Sequence, residues 1–307
     1  MTLRHLRVFL AVCDHDNNLT RTAEALYVAQ PSVSLCIREL EAHYGVRLFD
    51  RISRRLYLTE AGETFYRYAR HIVSLCDDLE KGLFGSEGRA TIQVGSSITI
   101  GSQLLPAYVQ AFREQRPQVD VRVTVDTSNH LLRRLLRNEM DCALVESRVD
   151  DPRLISQTFL TDALTVVCPA DGRYADGTVM PQTEFLNGRI LLRERGSGTR
   201  EIFDHVLGAH GLAVEPVWES ISTTALLRAA ACGLGYAVVS RRAAADAIAR
   251  GTVVGVQVEG LDFTRSFRMV RHKDKFLTPA LQEFMTLCME FPVHQTASVD
   301  PPAGMRV

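Results

Sequence analysis

Between residues 19 and 41 the apolar positions fall three and four apart. Ala23, Leu26, Val33, Ile37 and Leu40 mark the inward faces of two short helices that cross at a tight turn. The second helix opens on Gln30, Pro31, Ser32 and Ser34, so its outward face is polar. Proline suits a first helical turn, where its missing amide proton leaves no bond unmade, and the unpaired amides there attract phosphate. Gln30 can hydrogen-bond two edge atoms of an adenine, Ser32 and Ser34 can reach bases or phosphates, and Arg38 can meet phosphate or guanine. The pattern predicts a major-groove recognition helix. After Gly45, Arg47, Arg51, Arg54 and Arg55 gather around Asp50, and Leu56, Tyr57 and Leu58 make a short extended run. This predicts a two-stranded wing with Arg54 and Arg55 at its tip, placed to enter a minor groove or hold phosphates.

From Thr59 the pattern becomes one long helix in which Gly62, Phe65, Ala69, Ile72, Cys76, Leu79 and Leu83 alternate at spacings of three and four. A seam of this kind has to be buried. It predicts dimerisation with a second copy through Phe65, Ala69, Ile72, Cys76, Leu79 and Leu83; packing on the same chain's globular remainder is the alternative. A dimer presents two recognition helices to an interrupted inverted repeat, because protein and operator share a two-fold axis. Glycine and serine then replace the heptad in KGLFGSEGRA, residues 81–90, which marks a hinge. Beyond it, runs such as TIQVG, DCALVE, ALTVVCP and YAVVS alternate with helical periods, predicting parallel strands joined by crossover helices in two α/β lobes. The tail from Pro292 is too polar and proline-rich to demand order.

Composition changes this picture in four respects. A chain of 307 residues, 46% hydrophobic and 23% charged, has room for two or three domains. Its net charge of -1 excludes a protein that coats nucleic acid indiscriminately, so the arginine cluster matters by location. No apolar stretch approaches the ~20 residues of a membrane span and MTLRHLRVF is no signal peptide, so a cytoplasmic protein without membrane partners is expected. Seven cysteines with no CxxC pair, and no histidine cluster at ligand spacing, predict reduced thiols, no structural metal and no bound cofactor.

LRHLRVFLAV, LTRTAEALYVAQPSVS, LEAHYGVRLFDR and LTEAG, in that order, resemble the N-terminal region of LysR-type transcriptional regulators over roughly the first 85 residues. The resemblance implies base and phosphate contacts at Gln30, Pro31, Ser34, Leu35 and Arg38, and wing contacts at Arg54 and Arg55. Leu35 stands where many relatives have arginine and Cys36 where a polar residue is usual; Leu35 can offer only apolar contact, for instance to a thymine methyl. Ala29 lacks the hydroxyl that relatives often place at the helix start. Further on, the chain is similar to the family's periplasmic-binding-protein-like effector domain. The implied division is a winged helix-turn-helix at 1–58, a linker and dimerisation helix with hinge at 59–88, lobe I at 89–160 and 266–292, lobe II at 161–265, and a flexible tail at 293–307. Tetramers of two dimers, DNA bending and altered access of RNA polymerase are implied by the same resemblance.

Two lobes place a ligand in the cleft between them, at strand ends and helix starts. GSSITIGS, residues 95–102, offers Ser96, Ser97 and Thr99 there; RERGSGTR, residues 193–200, frees its backbone at Gly196 and Gly198 and adds Ser197 and Thr199. Such loops favour a small anion, although Ser and Thr at a helix start also serve as plain caps. Resemblance to the family's effector pocket carries over to Ser97, Thr99, Ser197, Thr199 and Glu146, with Thr223 as a further candidate. Glu146 repels a dianion unless Arg193, Arg195 or Arg200 compensates or it is protonated, so a zwitterion or amine-bearing acid also fits. GSGTR resembles the branch of the family that includes regulators of cysteine and sulfur-oxyanion metabolism.

Two other classes stand beside this reading. An α/β enzyme is disfavoured because GSGT and GLGY complete neither GxGxxG nor a Walker loop, and no nucleophile–base pair is visible. A thiol-based redox regulator would use Cys142, Cys168 or Cys232, yet the loop where the family's peroxide sensors carry reactive cysteines has none here. Most of the cysteines sit in apolar runs as small hydrophobes, while Cys36 on the recognition helix and Cys76 in the heptad seam are open to other roles.

Overall fold

The computed structural model describes residues 1–52, 55–84 and 90–291, with the side chains of 78 and 81–84 outside that description, and the chain separates into two compact units near Arg89. In the N-terminal unit, α1 (Leu3–Asp14), α2 (Leu19–Ala25) and α3 (Gln30–Tyr44) precede an antiparallel ribbon of β1 (Phe49–Ile52) and β2 (Arg55–Leu58) and a long helix α4 (Glu60–Phe84). Asn18 caps α2 by accepting from the amides of Thr20 and Arg21, at 3.0 and 3.1 Å. Tyr27, at φ +53°, turns the chain into α3. The start of α3 at Ala29 has no side-chain cap, as its missing hydroxyl predicts, and Gly45 ends the helix in the left-handed conformation.

Ala23, Val33, Ile37 and Leu40 are buried with Leu6, Phe9, Leu10 and Phe49 in one core, but Leu26 is 37% exposed. It caps the C-terminus of α2 instead of packing inward. The ribbon pairs Phe49 with Leu58 and Ile52 with Arg55, and Glu41 Oε1 anchors its base by accepting from the amides of Leu48 and Phe49, at 2.8 and 3.2 Å. Thr59 precedes α4 as its cap, donating to the Arg47 carbonyl at 2.7 Å and accepting from the Gly62 amide at 2.9 Å. A Cβ on Gly62 would lie 2.1 Å from the Leu48 carbonyl oxygen, so glycine is there for close packing within the chain.

The expected seam on α4 divides. Phe65 packs edge-on against Phe9, with centroids 4.8 Å apart, and Ala69 is buried at 1% exposure, so both belong to the chain's own core. Ile72 and Leu79 stay exposed, Cys76 is half-buried, and the side chain of Leu83 lies outside the described residues. The outward apolar stripe is Tyr68, Ile72, Leu75 and Leu79, still at spacings of four, three and four. This helix carries apolar residues over more than one face, and α1 claims the face bearing Phe65, Ala69 and Val73.

The second unit begins with β3 (Ala90–Ser96), α5 (Ile98–Gln103), α6 (Leu105–Gln115), β4 (Val119–Val125), α7 (Ser128–Leu136) and β5 (Cys142–Val145). It continues through β6 (Leu154–Pro169), β7 (Val179–Met180), α8 (Gln182–Asn187), β8 (Ile190–Arg193), α9 (Gly198–Ala209), β9 (Trp218–Ser220), α10 (Thr223–Ala231) and β10 (Tyr236–Ser240). The last elements are α11 (Arg241–Ala249), β11 (Val253–Val258), β12 (Thr264–His272) and α12 (Pro279–Glu290). Strand order is β4-β3-β5-β12-β6-β10-β8-β9, with β11 beside β6 and β7 beside β11. The expected parallel pairs occur at β3 with β4 and β5, and at β8 with β9 and β10. The central strands are antiparallel instead: β12 pairs this way with β5 and β6, and β6 with β10 and β11. Of these, β6 runs from one half of the sheet into the other, while β12 pairs only with β5 and the first part of β6. β6 pairs with β12 through Ala163 and with β10 from Leu164, and a helix crossover is not needed where the chain itself crosses.

Two cores lie on either side of that crossing. Ile92, Val94, Tyr108, Phe112, Leu144, Phe267 and Phe284 fill one, and Val166, Phe185, Ile190, Leu192, Phe203, Val238 and Val256 fill the other. The late helix α12 returns to the first core, where Leu281, Phe284 and Cys288 pack with residues of β3 and α6. All four residues of β5 and of β8 are buried, as suits strands covered on both faces. Among the described residues no helix is long and apolar enough to cross a membrane. The tail from 292, the segment 85–89 within the expected hinge, and Arg54 at the wing tip lie outside the described residues.

Candidate effector cleft and nucleic-acid interface

On the N-terminal unit, Pro31, Ser32, Leu35 and Arg38 project from α3 into solvent, while Gln30 and Ser34 are half-buried at its start. Arg51 and Arg55 are exposed on the ribbon. No carboxylate among the described residues pairs with Arg38, Arg51 or Arg55, so their charge remains available to a polyanion. Cys36 faces back toward α1, its thiol donating to the His5 carbonyl at 3.9 Å. Burial, aided by Glu39, pushes that thiol up to about 11, which keeps it protonated at neutral pH.

In the second unit the predicted loops converge where the two cores meet. β3 ends at Ser96 and delivers Ser97 and Thr99 on α5, β5 ends just before Glu146, and α9 begins with Gly198 and Thr199. Ser97 donates to Glu146 Oε1 at 2.9 Å and Thr199 to Glu146 Oε2 at 3.4 Å. Arg265, on β12, donates from Nη1 to Glu146 Oε2 at 2.7 Å and to the Thr199 hydroxyl at 3.0 Å. Its Nε reaches Asp162 Oδ2, on β6, at 2.9 Å, and Ser240 donates to the same oxygen at 2.9 Å. Arg265 and Asp162 are facing partners in the β12–β6 register, at the point where β6 crosses between lobes. Their side chains are 0% and 2% exposed, and that of Glu146 3%. In so dry a cluster each charge depends on its partner.

The compensating arginine is therefore Arg265 and none of the three close to the loop in sequence. Arg193 is bound by Glu194, at 2.8 and 2.9 Å, and reaches the Thr223 hydroxyl at 3.3 Å. Arg200 holds Asp204 at 2.9 Å and Glu219 at 3.0 Å, and Arg195 is exposed. Sequence proximity misled here, since a βα loop carries its arginines onto strand and helix faces that point away from the neighbouring carboxylate. Asp162 and Arg265 were missed; Asp162 is the single charge in β6, whereas Arg265 is one of three arginines in β12 and carries no such signal.

Among the other expected residues, Ser197 acts as the cap of α9, accepting from the Arg200 amide at 3.2 Å and donating to the Glu194 carbonyl at 2.8 Å. Ser96 is buried and donates to the Ser97 carbonyl at 3.1 Å, Thr99 is buried beside it, and Thr223 is half-buried. Glu201 adds a second bridge between the lobes, accepting from Asn129 at 2.7 Å and Ser147 at 2.6 Å. A Cβ on Gly198 would meet the Glu146 side chain at 2.8 Å, so only glycine lets α9 approach this closely. Among the described residues no cluster of His, Cys, Asp and Glu could hold a metal ion.

A winged helix-turn-helix bearing unpaired arginines, followed by two α/β lobes whose polar groups meet at the crossing strand, defines a ligand-responsive DNA-binding transcription regulator. Residues 3–63 match the bacterial regulatory helix-turn-helix protein, lysR family, and residues 85–292 match the LysR substrate binding domain. The chain belongs to the LysR family of transcriptional regulators, whose members are regulators and not enzymes. It is 32% identical over 288 residues to the uncharacterized HTH-type transcriptional regulator YeiE of Escherichia coli K12, covering 94% of this chain and 97% of that one. A full-length OxyR variant from Pseudomonas aeruginosa shares the fold at TM-score 0.71 and 22% identity, over 94% of this chain and 93% of that chain. The regulatory domain of Synechocystis PCC6803 CcmR, in complex with 2-PG, matches at TM-score 0.60 and 24% identity, over 65% of this chain and 96% of that chain.

Proposed function

We propose that this regulator binds an interrupted inverted repeat as a dimer or a dimer of dimers. In this reading Gln30, Pro31, Ser32, Ser34, Leu35 and Arg38 meet bases and backbone, and Arg51, Arg54 and Arg55 hold the flanking phosphates or minor groove. The exposed stripe of Tyr68, Ile72, Leu75 and Leu79 supports pairing between copies, because an apolar row of this spacing on an otherwise polar helix face gains by burial. A small polar or anionic metabolite in the interlobe cleft favours one lobe arrangement over another, and that preference is what alters DNA bending and the access of RNA polymerase. The single observation that carries the ligand reading is the buried convergence of Ser97, Glu146, Thr199 and Arg265 from four separate elements.

Thiol-based control finds less support. Burial pushes Cys168 up to about 12 and raises Cys142 as well, which withholds the reactive thiolate at two of the three candidates, while Cys232 is exposed.

The test is quantitative binding with footprinting on DNA upstream of the protein's own gene, at several salt concentrations, with Gln30→Ala as control. The expected result is protection of an interrupted dyad that weakens steeply with salt and is lost in the variant. Binding no tighter than to random duplex, there and in a genome-scale repeat, would overturn the reading.

A further inference from the structure

The interlobe cluster is an oxyanion seat whose occupant is the chain's own carboxylate. Glu146 receives hydrogen bonds from the Ser97 hydroxyl, the Thr199 hydroxyl and Arg265 Nη1, beside the first turn of the twelve-residue helix α9. Arg265 Nη2 makes no hydrogen bond and lies 2.8 Å from Asp162 Oδ2, the oxygen that already accepts from Nε, so this nitrogen belongs to the Asp162 side of the guanidinium and Nη1 alone serves Glu146. The seat thus holds hydroxyl and guanidinium donors together with an acceptor, Glu146, that has no hydrogen to give.

Charge narrows the ligand further. Arg265 already serves two carboxylates, Glu146 and Asp162, and the next cation, Arg242, lies 3.8 Å from Asp162 on the far side of that group. Arg193 and Arg200 are committed to Glu194, Asp204 and Glu219, and Glu201 adds negative charge at the α9 side. An incoming oxyanion therefore finds donors for its oxygens but also a carboxylate at its edge. Only a ligand that retains a proton can turn that contact from repulsion into a hydrogen bond.

We propose that Glu146 is the specificity-determining acceptor of this seat: as the lobes part, the site takes a small oxyanion that keeps a proton at neutral pH, as inorganic phosphate does, and rejects sulfate. This rests on the ligand-responsive reading of the cleft. Discrimination of about a hundredfold or more is expected, because an oxyanion without a proton meets the buried Glu146 carboxylate as a like charge.

Calorimetric titration of the full-length protein at pH 7 with inorganic phosphate and with sulfate, at matched ionic strength, decides the matter. Wild type should bind phosphate saturably and sulfate at least about a hundredfold more weakly. Glu146→Gln, whose amide can donate, should narrow that gap to about tenfold or less by gaining sulfate, and Thr199→Ala should weaken phosphate several-fold. Sulfate binding to wild type as tightly as phosphate, binding of neither ion, or an unchanged preference in Glu146→Gln would overturn the proposal. Should Glu146→Gln fail to fold, the wild-type preference alone upholds or overturns it. Operator footprinting of the same preparation separates the two readings: protection without ion binding removes only the seat, and ion preference without protection of any operator removes the regulator mechanism.

Discussion

Arginine is used on opposite terms in the two units of this chain. Arg38, Arg51 and Arg55 of the N-terminal unit stand in water and pair with no acid among the described residues, whereas Arg193, Arg200 and Arg265 of the second unit are buried and each is held by carboxylates. An exposed, uncompensated guanidinium adds little to folding and is free to displace counterions from a phosphate backbone. A buried, compensated one adds little net affinity by itself, but its removal leaves carboxylates stranded in a dry environment. One unit thus carries charge left over at its surface, and the other holds charge at a fixed place inside.

The sharpest attempt to break this contrast is Arg265→Met. It strands Glu146 and Asp162, and a loss of roughly 3–5 kcal/mol of stability is expected in urea unfolding of the full chain; a loss below about 1 kcal/mol would show that the cluster is not the structural tie described. The same inward and outward distinction exists for apolar groups on α4. Phe65→Ala should cost on the order of 3 kcal/mol through the cavity it leaves beside Phe9. Leu79→Lys, on the exposed stripe, should leave the monomer's fold intact and shift sedimentation toward smaller species. If Phe65→Ala changes assembly and Leu79→Lys does not, the division of the helix faces is wrong.

On the exposed side of the comparison, Arg55→Ala should change stability by no more than about 0.5 kcal/mol, yet lower the slope of log affinity against log salt by about 1. An unchanged slope in a salt-titrated binding assay would remove Arg55 from the DNA surface. The smallest effect is expected at an intermediate case, a paired arginine near the surface. Hydrogen bonds from Arg153 hold the Asp151 carboxyl down at about 2, against an ordinary 3.8. Because the folded value is the lower one, the pair's stabilisation is present above about pH 4 and fades as pH falls toward 2. Asp151→Asn should flatten that part of an acid denaturation curve slightly, and a curve identical to wild type would mean the pair is too well solvated to count.

Legibility followed distance along the chain. The helix pair, the wing, the long helix and the polar loops at 95–102 and 193–200 could be read because periodicity and turn chemistry act over a few residues. Within those elements local rules failed where two outcomes looked alike. Leu26 has the right spacing for the core and lies at a helix end, and Ile72 and Leu79 continue a seam whose first half is already used by α1. The expected parallel sheet missed its centre, because alternation of strands and helices says nothing about β6, which runs through both halves of the sheet, or about β12, which pairs antiparallel beside it.

The sequence by itself determined the elements, the family's motifs, the exposed cations of the recognition helix and wing, and the hydroxyl-bearing loops of the cleft, since each depends on neighbours within a turn or two. Tertiary structure alone decided which arginine neutralises Glu146. Arg265 stands 119 positions from Glu146 and 103 from Asp162, and one of three arginines in a strand reads as solvent-facing until tertiary packing encloses it. Burial of charge depends on what the rest of the chain brings to the same place, and no local period encodes that.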